Sequence, residues 1–186
     1  MLQADTGRTA LLTLPNLLSL SRVALIAPLS WAIIKGEGLI AVVLFAFVIV
    51  TDFLDGLIAR RAHQVTEFGT LLDHGCDALF VSAIAGLLAY LGLLPLVLPL
   101  LIAIAFLQYS LDSRVLEGAR LRPSRIGRWN GVAYFVIVGA GIVVHHFAAD
   151  PMLLFGLWLC GWVVVATTVI SIAERAVYML RARSGA

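Results

Sequence analysis

The chain has 186 residues, 61% of them hydrophobic and 13% charged, with a mean hydropathy of +1.01. A soluble domain of this size needs a more polar surface to stay wetted, so the length is better divided by the ~20 apolar residues that cross a bilayer. The net charge of +2 is small, which makes the placement of the basic residues more telling than their sum; no nucleic-acid partner is expected. Cys76 and Cys160 both lie in apolar context and read as small buried core residues rather than a disulfide framework.

The first residues, Met1 to Thr13, are mixed in character. No small-residue cleavage pattern follows the first apolar run, so no removable signal peptide is expected. Six candidate spans then follow in order: Leu14–Ile34, Leu39–Ala59, Thr70–Leu91, Leu93–Leu111, Asn130–Phe147 and Met152–Ala173. Gly36 and Gly38, Gly92 with Pro95, and Asp150 with Pro151 punctuate three of the breaks. The charged connections are Arg60–Glu67 and Asp112–Arg128, and a polar tail begins near Glu174.

Six spans put both termini on one side. Arg8, Arg60, Arg61, Arg114, Arg120, Arg122, Arg125, Arg128, Arg175, Arg181 and Arg183 then share that side, and Arg22, in the near half of the first span, can snorkel toward it. Lys35 alone falls opposite. By the positive-inside rule the arginine-rich face is cytoplasmic. The expected fold is therefore an all-α integral membrane protein, a bundle of six transmembrane helices with both termini cytoplasmic. One domain accounts for residues 1–186, with a short leading segment at 1–13 and the tail at about 174–186.

The stretch from Thr51 to Asp77 is the informative one. Asp52, Asp55, Asp73 and Asp77 lie in or at the ends of apolar runs. The second span ends near Arg60 and the third begins near Gly69, so at 1.5 Å per residue Asp52 and Asp77 stand level, roughly 12 Å from the turn. Asp55 and Asp73 form a shallower pair. Within each helix the two aspartates share a face, at spacings of three and four. If the two faces meet, four carboxylates converge on one pocket.

Such a pocket needs compensation. A carboxylate at the bilayer centre costs about 2.5–3.5 kcal/mol on insertion scales, so four approach ~10 kcal/mol before they repel one another. Arg60 and Arg61 can offset part of this. A divalent cation does so more fully, and oxygen-only ligands favour Mg²⁺, Mn²⁺ or Ca²⁺ over zinc. Four unconnected aspartates in salt bridges or at helix ends are the alternative. Gly56 and Ala59 continue the stripe of Asp52 and Asp55, and Gly69 precedes Asp73 and Asp77 at spacings of four and eight. Small residues there let a ligand approach the backbone or let helices pack closely.

The pattern Asp52-x₂-Asp55-Gly56-x₂-Ala59-Arg60-x₈-Gly69-x₃-Asp73-x₃-Asp77 resembles the signature of the CDP-alcohol phosphatidyltransferase family at every position. The stretch from Leu14 to Arg22 (LPNLLSLSR) is similar to the lead-in common in that family. The resemblance implies a membrane enzyme that uses an alcohol hydroxyl to displace CMP from a CDP-linked lipid, usually CDP-diacylglycerol. It implies one or two Mg²⁺ or Mn²⁺ ions held by Asp52, Asp55 and Asp73. Asp77 would be the general base and a possible further ligand. Gly56, Ala59, Arg60 and Gly69 would border the nucleotide, and the chain would form a homodimer. The protein would sit in a bacterial or archaeal inner membrane with its site facing the cytoplasm.

The acceptor is less well marked. Arg114, Arg120, Arg125 and Arg128 can form an anion site for a phosphorylated acceptor, or simply a basic loop at the headgroups. Ser124-x₂-Gly127-Arg128 loosely resembles an element of glycerophosphate-using members, whereas Asp73-His74-Gly75-Cys76-Asp77 is closer to the choline and ethanolamine phosphotransferases. The arginines favour glycerol 3-phosphate over inositol phosphate, serine or CDP-choline-type chemistry. His74 reads as a packed polar residue or a hydrogen-bonding partner within the motif. His145 and His146, adjacent in sequence, do not suggest a metal site. A cation or proton transporter is the competing class, since intramembrane acids also mark ion paths. The aspartates, however, gather toward one face, and the other half of the bundle lacks acids.

Overall fold

The computed structural model describes residues 14–61, 67–115, 125–148 and 150–184. These form six helices and, among the described residues, no strand: α1 (Leu14–Lys35), α2 (Gly38–Arg61), α3 (Glu67–Tyr90), α4 (Val97–Val115), α5 (Arg125–Phe147) and α6 (Pro151–Ser184). Each overlaps one of the six expected apolar segments. Among the described residues, four apolar stretches are long enough to cross a membrane: Asn16–Lys35, Leu71–Tyr90, Ile126–Phe147 and Pro151–Leu180. The described apolar stretches of α2 and α4 are shorter, Gly38–Leu54 and Val97–Ser110. These helices, in a chain of mean hydropathy +1.01, are those of a membrane protein.

The helix ends follow local chemistry. Gly36 and Gly92 take positive φ values of 77° and 80°, a conformation glycine adopts without a Cβ penalty. Gly92 and Pro95 delay α4 to Val97, four residues beyond the expected start, while Leu93 and Leu94 still pack inward. Asp150 caps α6: its Oδ1 accepts from the backbone N–H of Met152 at 2.8 Å and of Leu153 at 3.3 Å. Pro151 fills the first turn, where no N–H is needed. At 34 residues α6 is about 51 Å long and outruns a ~30 Å hydrocarbon core. The polar segment from Glu174 is therefore helical as far as Ser184.

α1 packs on α2 and α3, α3 on α4, α6 on α4 and α5, and α5 also on α2 and α3. The core is built from stripes at helical spacing: Ala41, Phe45 and Val48 on α2, and Phe80, Ile84 and Leu88 on α3. Phe45, Phe80 and Phe135 bring three helices together, with ring centroids 6.3–6.5 Å apart. Outward faces are equally apolar, with Phe47, Phe53, Val136 and Phe155 exposed. For that reason Cys160 departs from expectation. Cys76 is buried but Cys160 is exposed, and both are free. Apolar context marks burial in a soluble protein but not in a bilayer, where the outer surface is apolar too.

Close helix contacts depend on glycine. A Cβ on Gly139 would lie 2.7 Å from Cε1 of Phe45, whereas one on Gly156 would meet nothing within 4 Å. Gly139→Ala is expected to lower the melting temperature in detergent, through overpacking that costs about 1–3 kcal/mol. Gly156→Ala should leave it unchanged or raise it. Equal melting temperatures for Gly139→Ala and wild type would mean that α2 and α5 do not meet as described.

Candidate active site

Polar residues on α1 start the site. Asn16, Ser19 and Arg22 recur at intervals of three and are all buried, with Arg22 at 0% exposure. An arginine keeps its charge in any protein environment, so burial in a membrane bundle demands acidic partners. Arg22 finds three. Its Nη1 donates to Oδ1 of Asp52 at 2.7 Å and also to Oδ1 of Asp77, while Nη2 donates to Oδ1 of Asp73. Ser19 joins them, donating to Asp73 Oδ1 at 2.9 Å and accepting from Arg22 Nη2 at 3.2 Å. Arg22 therefore turns inward to the carboxylates and does not snorkel to the membrane surface.

Asp52 projects from α2 and Asp73 and Asp77 from α3, the latter two at the four-residue spacing that stacks them on one face. One oxygen from each lies within 4.8 Å of the others. Among the described residues this is the one cluster of His, Cys, Asp or Glu placed to hold an ion. The fit to a hard divalent cation rests on this donor set: three convergent carboxylates, oxygen only, already held about a positive group. His145 and His146 are not in the cluster.

The other expected site residues are distributed as follows. Asp55, Gly56, Ala59 and Arg60 lie on α2, and Arg114 and Arg125 on α4 and α5, but these side chains are outside the described residues, as is Arg120 altogether. Gly69 lies in the first turn of α3, one turn before Asp73. Arg128, near the start of α5, is exposed.

Beside the acids is a cavity of about 550 Å³, bounded by α2 to α6. Asp52 and Asp77 form one wall, and Arg128 and Arg175 contribute the opposite charge. Val81, Ile102, Phe106 and Phe135 supply much of the remaining lining, with Gln108, Tyr134 and Ser171 adding polar atoms. Arg175 was not among the expected acceptor residues. Its guanidinium carbon stands 5.2 Å from the Tyr109 ring centroid, in range for a cation–π contact. The His74 ring stacks on the same tyrosine, 5.4 Å away and nearly parallel at 10°. His74, next in sequence to Asp73, thus connects the acid wall to α4 and Arg175. Gly127 makes room for this arrangement: a Cβ there would sit 3.0 Å from Ser171 Oγ and 3.2 Å from Arg175 Nη2.

Arg22 and Arg175 were the principal residues missed. The signal for Arg22 was available in the run Asn16, Ser19, Arg22, a polar stripe at helical spacing within an apolar segment. Tyr109 and Arg175 are 66 residues apart in the chain, and nothing local links them.

With this geometry established, comparison with known proteins is specific. The CDP-alcohol phosphatidyltransferase family profile matches residues 12–173. The chain is 31% identical to a cardiolipin synthase (CMP-forming) of Rattus norvegicus over 80% of this chain and 56% of that protein. It is 32% identical to its Homo sapiens counterpart, over 78% and 56%. It is 30% identical to a CDP-diacylglycerol–glycerol-3-phosphate 3-phosphatidyltransferase of Bacillus subtilis, over 85% of this chain and 90% of that protein. The chain thus spans little more than half the length of the two mammalian relatives and most of the bacterial one. It belongs to the CDP-alcohol phosphatidyltransferase family.

Removal of one carboxylate should weaken ion binding directly. Asp73→Asn, purified in detergent, is expected to bind Mn²⁺ at least about tenfold more weakly than wild type by electron paramagnetic resonance titration. Unchanged Mn²⁺ affinity would take Asp73 out of the ion site.

Proposed function

We propose that the protein transfers a phosphatidyl group from CDP-diacylglycerol to the hydroxyl of a glycerol phosphate acceptor, with release of CMP. The observation that carries this reading is the shared cavity, in which Asp52 and Asp77 face the same space as Arg128 and Arg175. An acidic wall suits a cation bound to a pyrophosphate. Guanidinium groups suit an acceptor that carries its own phosphate. Both glycerol-3-phosphate and cardiolipin synthase activities appear in the names of the relatives, so the acceptor class is put forward at the level of a glycerol phosphate headgroup, with free glycerol 3-phosphate as the first candidate.

In this reading Asp52, Asp55 and Asp73 hold one or two Mg²⁺ or Mn²⁺ ions, with Asp77 adjoining them. Bound there, such ions would offset the negative charge that develops on the phosphates during transfer. Asp77 takes the hydroxyl proton of the acceptor as its oxygen attacks the phosphatidyl phosphorus. The bond from that phosphorus to the bridging oxygen breaks, and CMP departs with the electron pair. Gly56, Ala59, Arg60 and Gly69 border the nucleotide, and the apolar cavity wall keeps bulk water from competing with the acceptor. Arg175, held over Tyr109, and Arg128 bind the acceptor phosphate; Arg114, Arg120 and Arg125 add positive charge around the mouth.

The membrane frame follows the same reading. The whole chain acts as one domain with six spans, α2 and α4 included, and both termini in the cytoplasm. Eleven arginines on one side, Arg22 being turned inward, against Lys35 on the other support that orientation.

CMP release in detergent tests the activity, with CDP-diacylglycerol, Mn²⁺ and one acceptor at a time. Release is expected with glycerol 3-phosphate or phosphatidylglycerol, and Asp77→Asn should reduce kcat by about 10²–10⁴-fold. Turnover by Asp77→Asn at the wild-type rate would remove the proposed base. Arg175→Gln is expected to raise the acceptor KM by about 10- to 100-fold, the value of a lost charge-assisted hydrogen bond. Its KM for CDP-diacylglycerol should be unchanged, and a rise in the donor KM alone would place Arg175 on the wrong substrate.

A further inference from the structure

We propose that Arg22 is a positioning residue for the reaction. From the buried side it grips the carboxylates of Asp52, Asp73 and Asp77 by one oxygen each, and so aims their other oxygens at the cation and substrate entering from the cavity. The inference rests on the metal-dependent reading of this site.

Burial is the first support. Arg22 is 0% exposed, whereas the side chains of Asp52, Asp73 and Asp77 are 42%, 33% and 26% exposed. Asp52 and Asp77 line the cavity and Arg22 does not. From the cavity, the guanidinium thus lies behind Asp52 and Asp77, and an arriving ion meets these two acids first. Atom pairing is the second support, since every described contact of Arg22 with these acids ends on Oδ1.

The third support is the chemistry of the guanidinium. It is a rigid planar fork with five N–H donors and a fixed charge, so it can span three carboxylates from two helices without rotating or losing a proton. Ser19, one turn earlier on α1, braces it by contacting both Nη2 and Asp73 Oδ1. A plug that withdraws when metal arrives is the contrary reading. Withdrawal would strand a buried cation without its partners, beside Asn16 and Ser19, which are themselves buried, and this is strongly unfavourable. Arg22 therefore stays in place with the ion bound.

The test compares Arg22→Lys with wild type. Lysine keeps the charge but concentrates it at one point, so it cannot hold three carboxylates in a fixed arrangement. Folding is checked by gel filtration in detergent, and Mn²⁺ binding by electron paramagnetic resonance. Arg22→Lys is expected to bind Mn²⁺ about 10- to 100-fold more weakly, as removal of a ligand-orienting partner usually does, and to broaden the Mn²⁺ spectrum. Wild-type affinity in Arg22→Lys would overturn positioning in favour of simple charge balance, and tighter binding would identify a plug. If Arg22→Lys does not fold, Ser19→Ala takes its place, since it removes the brace without leaving a charge alone. Weaker Mn²⁺ binding by Ser19→Ala sustains the proposal, and unchanged binding overturns it. Absence of Mn²⁺ binding by wild type would instead overturn the metal reading itself.

Discussion

A guanidinium that cannot lose its charge is enclosed among helices of a membrane protein, and three carboxylates from two neighbouring helices close around it. Either half alone would be costly: a lone buried arginine has no solvent to hydrate it, and three lone carboxylates repel one another. Together they fix α1, α2 and α3 in register at one end of the bundle. The aromatic contact of Phe45, Phe80 and Phe135 then brings α5 against the same helices. The cavity is what remains between that assembly and α4 and α6.

The cavity has two chemically different sides for a physical reason. Its acidic side comes from Asp52 and Asp77, twenty-five residues apart in sequence, which one helical hairpin can align. Its basic side comes from α5 and α6, where Gly127 leaves space for Arg175 to lie against Ser171 and Tyr109. Opposite charges facing one space suit a reaction between a cation-bound pyrophosphate and an anionic acceptor. The apolar lining between them limits the water that would otherwise screen both.

Much of this was legible in the sequence. Length and hydropathy located all six helices, because apolar runs bounded by Gly, Pro and charge leave little choice of element. The spacing of Asp52, Asp73 and Asp77 foretold their meeting, since level positions on a hairpin follow from helix rise alone. Other features were hidden. From sequence Arg22 can snorkel to the membrane surface, because snorkelling and inward pairing look alike until the partner helix is placed. Cys160 was assigned to the core because hydropathy does not distinguish lipid from protein interior. The stack of His74, Tyr109 and Arg175 joins three helices, and its members become neighbours only through tertiary packing.

The claim that an acceptor oxygen attacks phosphorus in this cavity is tested most directly by isotope transfer. CDP-diacylglycerol is incubated with the protein and Mn²⁺, using glycerol 3-phosphate or phosphatidylglycerol labelled with ¹⁸O in its free primary hydroxyl, and the products are weighed by mass spectrometry. The label is expected in the new phosphodiester of the lipid product, with CMP unlabelled. CMP release accompanied by phosphatidic acid, with no label in any phosphodiester, would show hydrolysis by water and contradict that claim.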